Sequence, residues 1–218
     1  MHTVSPQQKK DMSESNTQSE HAVEFIPDSH TYLIDGQIVP SATQIICHFP
    51  QFRDMYKNVP AGRLKRKADY GNVVHALIES VGLQGGVSPD FNWKSHEGLA
   101  LDRWMKLSLR HDIHLKSAEQ IVYYMEDMHP LYIGTYDLQG TVEGKNSLID
   151  IKTTSKYHPD YLSYQLSMYA LAYEQMTHET IESLWCYWCP KKGLGRMVEV
   201  EMQDRESLLA KIKAYKRP

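Results

Sequence analysis

Leu148-Ile149-Asp150-Ile151-Lys152-Thr153-Thr154 and, just upstream, Gly134-Thr135-Tyr136-Asp137-Leu138-Gln139-Gly140 decide how this chain is read. In an extended strand, residues i and i+2 share a face. Asp150 and Lys152 therefore project together, while Ile149 and Ile151 project to the opposite side and read as core. A carboxylate and an ammonium group on one face of such a strand is the geometry of a site or of a salt bridge. Glu143-Gly144-Lys145-Asn146 reads as the turn between the two strands, and the resulting hairpin brings Asp137 toward Asp150. Two carboxylates held close repel unless a cation sits between them. Magnesium takes one or two carboxylates, several waters and a substrate phosphate. A divalent ion at that point polarises a phosphodiester and activates water. Lys152 is then expected to orient that water or to stabilise charge developing on the phosphate. The backbone carbonyl of Ile151 offers one more oxygen ligand.

The pattern outward from this pair alternates elements. Glu119–Met125 reads as a strand, so three strands with short links form a meander. Pro159 sits where a helix begins, and that helix runs to about Gln175. Strands follow at Ser183–Cys189 and Arg196–Met202, around Pro190–Gly195, and a last helix runs from its cap Asp204 to Lys216. Toward the N-terminus, Ser95 opens a helix ending near His111, Gly82–Asp90 reads as a loop, and Ala61–Val81 is helical. Ser41 caps a helix to about Cys47, and Val23–Val39 reads as short strands around an Asp35-Gly36 turn. The fold class this predicts is α/β, a central mixed β-sheet flanked by helices on both faces. Residues 1–20 are polar and are expected to form a disordered tail; residues 21–218 are expected to form a single domain.

Composition bounds the function. The net charge of −3 is not that of a protein that wraps duplex DNA non-specifically, so contact with nucleic acid has to come from local patches. Three cysteines argue against a disulfide framework. Cys186-Tyr187-Trp188-Cys189 has C-x-x-C spacing, but no cysteine follows Cys189, so a four-cysteine cluster within the chain is impossible and strand packing is expected. There is no long apolar run and no apolar leader-like segment, which predicts a cytoplasmic protein without membrane contact. GxxxxGK[ST], GxSxG and HExxH are all absent.

Asp137 followed by Asp150-Ile151-Lys152 resembles the PD-(D/E)XK nuclease superfamily, although Tyr136 stands where the proline of that name would be. Gly71-Asn72-Val73-Val74-His75 resembles the upstream helix of the RecB-like exonuclease branch, and Gln165-Leu166-Ser167-Met168-Tyr169 resembles its QxxxY motif. Val39-Pro40-Ser41-Ala42-Thr43 after a hairpin is similar to phage-type members. The resemblance spans His75 to Tyr169, under half the chain. It implies a restriction-endonuclease-like core and a magnesium- or manganese-dependent deoxyribonuclease, an exonuclease in DNA recombination or repair, in a bacterial cell or phage-infected host. It implies that His75 ligates the metal with Asp137, Asp150 and the Ile151 carbonyl, and that Gln165 and Tyr169 face the substrate. Glu119 is a further ligand, a supporting group behind the ligands, or a solvated strand residue. Arg66, in the basic run Arg63-Leu64-Lys65-Arg66-Lys67, and Lys156 are candidates for phosphate contact. DNA is the expected partner, with room for a recombination partner protein or a homo-oligomer. Two other readings stay open: a catalytically idle nucleic-acid-binding protein on the same fold, and a structure-specific endonuclease.

Overall fold

The meander on which the reading turns is built from three long strands: β4 (His114–Glu126), β5 (His129–Val142) and β6 (Lys145–Lys152). A computed structural model describes residues 21–26, 29, 31–53 and 61–215, with residues 61–68 described as helix backbone only. The predicted tail, residues 1–20, lies outside the described residues. Each hairpin closes on two residues with positive φ, Asp127-Met128 and Glu143-Gly144, the backbone that a tight two-residue turn between twisted strands requires. β6 then pairs in parallel with β7 (Ser183–Trp188), and β8 (Arg196–Val200) closes the sheet antiparallel to β7. The five-stranded sheet has order β4-β5-β6-β7-β8, so the fold is α/β with a mixed sheet.

Parallel pairing needs a crossover, and α4 (Pro159–Thr177) supplies it, with Pro159 in its first turn. It is buried from Tyr161 to Tyr173. Together with α1 (Ala42–His48) and α5 (Arg205–Lys213) it covers one sheet face, against Leu148, Leu184 and Cys186. On the opposite face, α2 (Ala61–Glu79) and α3 (His96–Arg110) pack against Leu138, Ile149, Ile151 and Tyr187. Ile149 and Ile151 thus lie in the core, where each such side chain contributes about 2 kcal/mol. Ser41, Ser95 and Asp204 cap α1, α3 and α5, and Ser41 completes a reciprocal capping box with Gln44.

The N-terminal strands β1 (Val23–Ile26), β2 (Thr31–Ile34) and β3 (Gln37–Val39) form a separate antiparallel sheet. It is laid on the main sheet through a small core of Tyr32, Ile34, Val39, Tyr123 and Ile133. Several boundaries differ from the sequence reading; β7 ends at Trp188 and β8 at Val200, short of the expected Cys189 and Met202. β4 begins at His114 rather than Glu119, because pairing with Thr141 and Gly140 extends it through polar residues that carry no strand pattern. The helix predicted through Val81 leaves α-geometry at Glu79 and continues as a π-helical turn, Ser80–Gln84, into the predicted loop. The last helix ends at Lys213, three residues before the expected Lys216. Among the described residues no helix is long and apolar enough to cross a membrane.

Candidate active site

The site forms where β5 and β6 separate. Their ladder runs from Val142↔Lys145 to Leu138↔Ile149 and stops. One residue on, the Asp137 carboxylate takes over, accepting a hydrogen bond from the Ile151 backbone N–H (2.6 Å). Asp137 is thus held by the backbone of the strand that carries Asp150 and Lys152. Lys152 donates to Asp150 Oδ1 at 2.8 Å. The other oxygen, Asp150 Oδ2, is buried and has no hydrogen-bond partner among the described residues. Asp150 is only 2% exposed. Burial pushes its carboxyl up to about 6, against the pull of Lys152. Lys152 shows the opposite balance. Burial alone would lower its ammonium, but Asp150 and Asp137 hold it well above the usual lysine range, so it is a fixed cation.

Glu119 enters from β4. In the antiparallel register it falls opposite Asp137, between the pairs Ala118↔Leu138 and Gln120↔Tyr136. Its φ of +49° is the left-handed region, inside a strand, at a residue with a Cβ. That conformation costs on the order of 1 kcal/mol. It accompanies a carboxylate that reaches His75: Nδ1 lies 3.3 Å from Glu119 Oε1 and 3.8 Å from Asp137 Oδ2. The second ring nitrogen, Nε2, donates to the Ile151 carbonyl at 3.0 Å. Burial would lower the imidazole pKa, but Asp137, Glu119 and Asp150 raise it to about 9. At neutral pH the ring is therefore an imidazolium, its Nδ1 proton facing carboxylates.

His75, Glu119 and Asp137 offer ligand atoms that all lie within 4.8 Å of one another. The donor set fits a divalent cation on three counts. Glu119 and Asp137 converge with His75, Asp150 outside that group keeps a buried oxygen without a hydrogen-bond partner, and the Nε2–H of His75 is anchored on a carbonyl, the arrangement that orients a metal-ligating histidine. Ile151 O is therefore committed to His75 here, where the sequence reading had it as a ligand. Glu119, one of three sequence alternatives, stands among the converging donors.

A cleft of about 490 Å³ opens in front of His75, Glu119 and Asp137, which line it; Asp150 and Lys152 do not. Tyr32, Thr43, Asn72, Glu79, Thr135 and Tyr169 are among its walls. Tyr169 packs so tightly on Gly134 that a Cβ there would meet its ring at 2.4 Å. Gln165 lies behind it, buried, donating from Nε2 to Tyr169 Oη (3.2 Å) and to Thr43 Oγ1 (3.3 Å). Tyr169 thus lines the cleft, and Gln165 does not. Lys156 is exposed in the loop after β6, apart from the cleft wall. Arg66 lies on the α2 backbone, with its side chain outside the described residues. Asn72 and Glu79 were missed by the sequence reading, though they stand three before and four after His75, on one helix face. Tyr32 and Thr43 carried no local signal, because only the docking of the N-terminal sheet and α1 brings them here. Comparison with protein-family models and with curated proteins finds no match.

Proposed function

We propose that this chain is a divalent-metal-dependent DNA nuclease, an exonuclease that hydrolyses phosphodiester bonds during recombination or repair. The observation that carries the reading is the convergence of His75, Glu119 and Asp137, with the Asp150–Lys152 pair next to it on β6. Such a set has an excess of negative charge until a cation is added. Asp137, Asp150, Glu119 and Nδ1 of His75 would hold magnesium or manganese. When bound, the ion supplies Lewis-acid activation of the phosphodiester and of water.

The chain's own groups do the rest. Lys152, held protonated by Asp150, serves as a hydrogen-bond donor rather than a base. It neutralises charge that grows on the phosphate oxygens, an interaction strengthened by its partial burial. The Ile151 carbonyl orients the His75 ring, and the Ile151 N–H orients Asp137. Tyr169, kept a neutral phenol by burial, supports the substrate strand from the cleft wall, and Gln165 sets its hydroxyl.

The test is degradation of end-labelled linear DNA and of closed circles, with magnesium, with manganese and with chelator. Wild type is compared with Asp150→Asn and Asp137→Asn, each checked for native melting. Metal-dependent loss of linear DNA with surviving circles, abolished by both substitutions, is the expected result. Cleaved circles would overturn the exonuclease assignment and keep the nuclease. No cleavage with either metal, or cleavage indifferent to both substitutions, would overturn the reading altogether.

A further inference from the structure

The parallel pairing of β6 and β7 sends their C-terminal ends out of the sheet side by side, and the loops that leave them differ in composition from the rest of the chain. Residues 151–158 and 188–197 contain Lys152, Lys156, Lys191, Lys192 and Arg196 and no aspartate or glutamate, in a chain whose net charge is −3. Lys156, Lys191, Lys192 and Arg196 are all exposed. The two loops are tied to each other. Trp188 neighbours Lys152 in the parallel register, its indole N–H donates to the Thr154 carbonyl (2.7 Å), and the Cys189 N–H donates to the Lys152 carbonyl (2.8 Å).

Aromatic rings are interleaved with the charges. The Arg196 guanidinium lies over the Trp188 ring, 4.5 Å from its centroid, and Tyr157 packs against the same indole at 5.6 Å. Tyr157 and Trp188 are half-buried. Lys191 reaches across to α2, 5.4 Å from the centroid of Tyr70. Tyr70 adjoins Gly71, whose Cβ position is 3.1 Å from Thr153 Oγ1. Both loops therefore lie next to α2 as well as next to each other.

We infer that these two loops form a basic, aromatic shelf that binds the phosphodiester backbone of a nucleic-acid strand beside Lys152; the inference rests on the nuclease reading of that site. Cations gathered on one ledge suit a run of phosphates, and aromatic rings between them suit unpaired bases. The shelf also accounts for nucleic-acid contact by a protein with no overall basic charge, since affinity is concentrated where the strand is to be cut.

Binding of a fluorescein-labelled oligonucleotide to the full chain in chelator tests this, since no cleavage occurs there. Single-stranded and duplex forms are compared as salt is raised from about 50 to 200 mM. Wild type is set against Lys156→Gln/Lys191→Gln/Lys192→Gln/Arg196→Gln, and against Lys145→Gln, an exposed lysine at the opposite end of β6 from Lys152. The fourfold variant is expected to melt as wild type, to bind at least tenfold more weakly, and to lose about 3 from the slope of log affinity against log salt, roughly 0.7 per single-strand phosphate contact. Lys145→Gln is expected to change neither. A loss confined to single strands assigns stacking to Tyr157 and Trp188, and an equal loss on duplex assigns backbone charge alone; both support the shelf. An unchanged slope in a natively folded variant overturns it. Shelf-dependent binding without metal-dependent cleavage would refute the nuclease reading and leave the shelf standing, while cleavage with shelf-independent binding would do the reverse.

Discussion

Metal binding at this site should be paid in protons, and the amount follows from His75. Its imidazole is raised to about 9 by Asp137, Glu119 and Asp150 against the opposing effect of burial, and its Nδ1 proton lies where the carboxylates converge. A cation ligated by Nδ1 must displace that proton. At pH 7, two units below the pKa, about 1% of the rings are neutral, so apparent affinity is roughly 100-fold below its alkaline limit, or about 2.7 kcal/mol. Calorimetric titration with manganese should therefore show affinity rising about ninefold from pH 7 to pH 8 and about fivefold more from pH 8 to pH 9, with close to one proton released per ion at the acid end. His75→Gln should flatten the slope. The metal-free protein gives the mirror image. Because the folded pKa exceeds that of the unfolded chain, imidazolium stabilisation is fully present below about pH 6.5 and is lost as pH rises through 9, a change of about 3 kcal/mol. An affinity that is flat from pH 7 to pH 9, or a slope that survives His75→Gln, would refute the argument that the histidine proton and the cation compete for one place.

Three further outcomes follow from the packing. Glu119→Gly should be about 1 kcal/mol more stable than Glu119→Ala in denaturant melts of the metal-free protein, because both lose the contact with His75 and only glycine escapes the positive-φ penalty, while both weaken manganese binding; unchanged affinity would remove Glu119 from the ligand set. Gly134→Ala should push the Tyr169 ring aside by about 1 Å, the gap between the 2.4 Å approach and ordinary contact, and so lower cleavage more than metal binding. Unchanged cleavage with a native melt would show that the tyrosine's position is immaterial. Ile149→Ala, at a fully buried position on the α2 and α3 face, should cost 2–5 kcal/mol in urea unfolding; a loss under 1 kcal/mol would contradict its place in the core.

The sequence by itself determined the elements and the central pairing of charge. Alternation through Leu148–Lys152 set Ile149 and Ile151 on one face and Asp150 and Lys152 on the other, because a strand's period of two leaves no other choice. Capping residues, Pro159 and the glycine turns marked most helix and hairpin ends, since these are local rules of backbone conformation. Tertiary structure decided what those rules do not reach. The end of the β5–β6 ladder, which frees Asp137 to hold the Ile151 N–H, depends on how two strands diverge in the assembled sheet. The left-handed backbone at Glu119, the bond between His75 and Ile151 that redirects a carbonyl from metal to imidazole, and the docking of Tyr32 and Thr43 onto the cleft all join residues distant in the chain. The same is true of the basic shelf. Its lysines look like ordinary solvated charges in one dimension and meet only because β6 and β7 lie parallel, which places two loops some thirty residues apart at the same edge of the sheet.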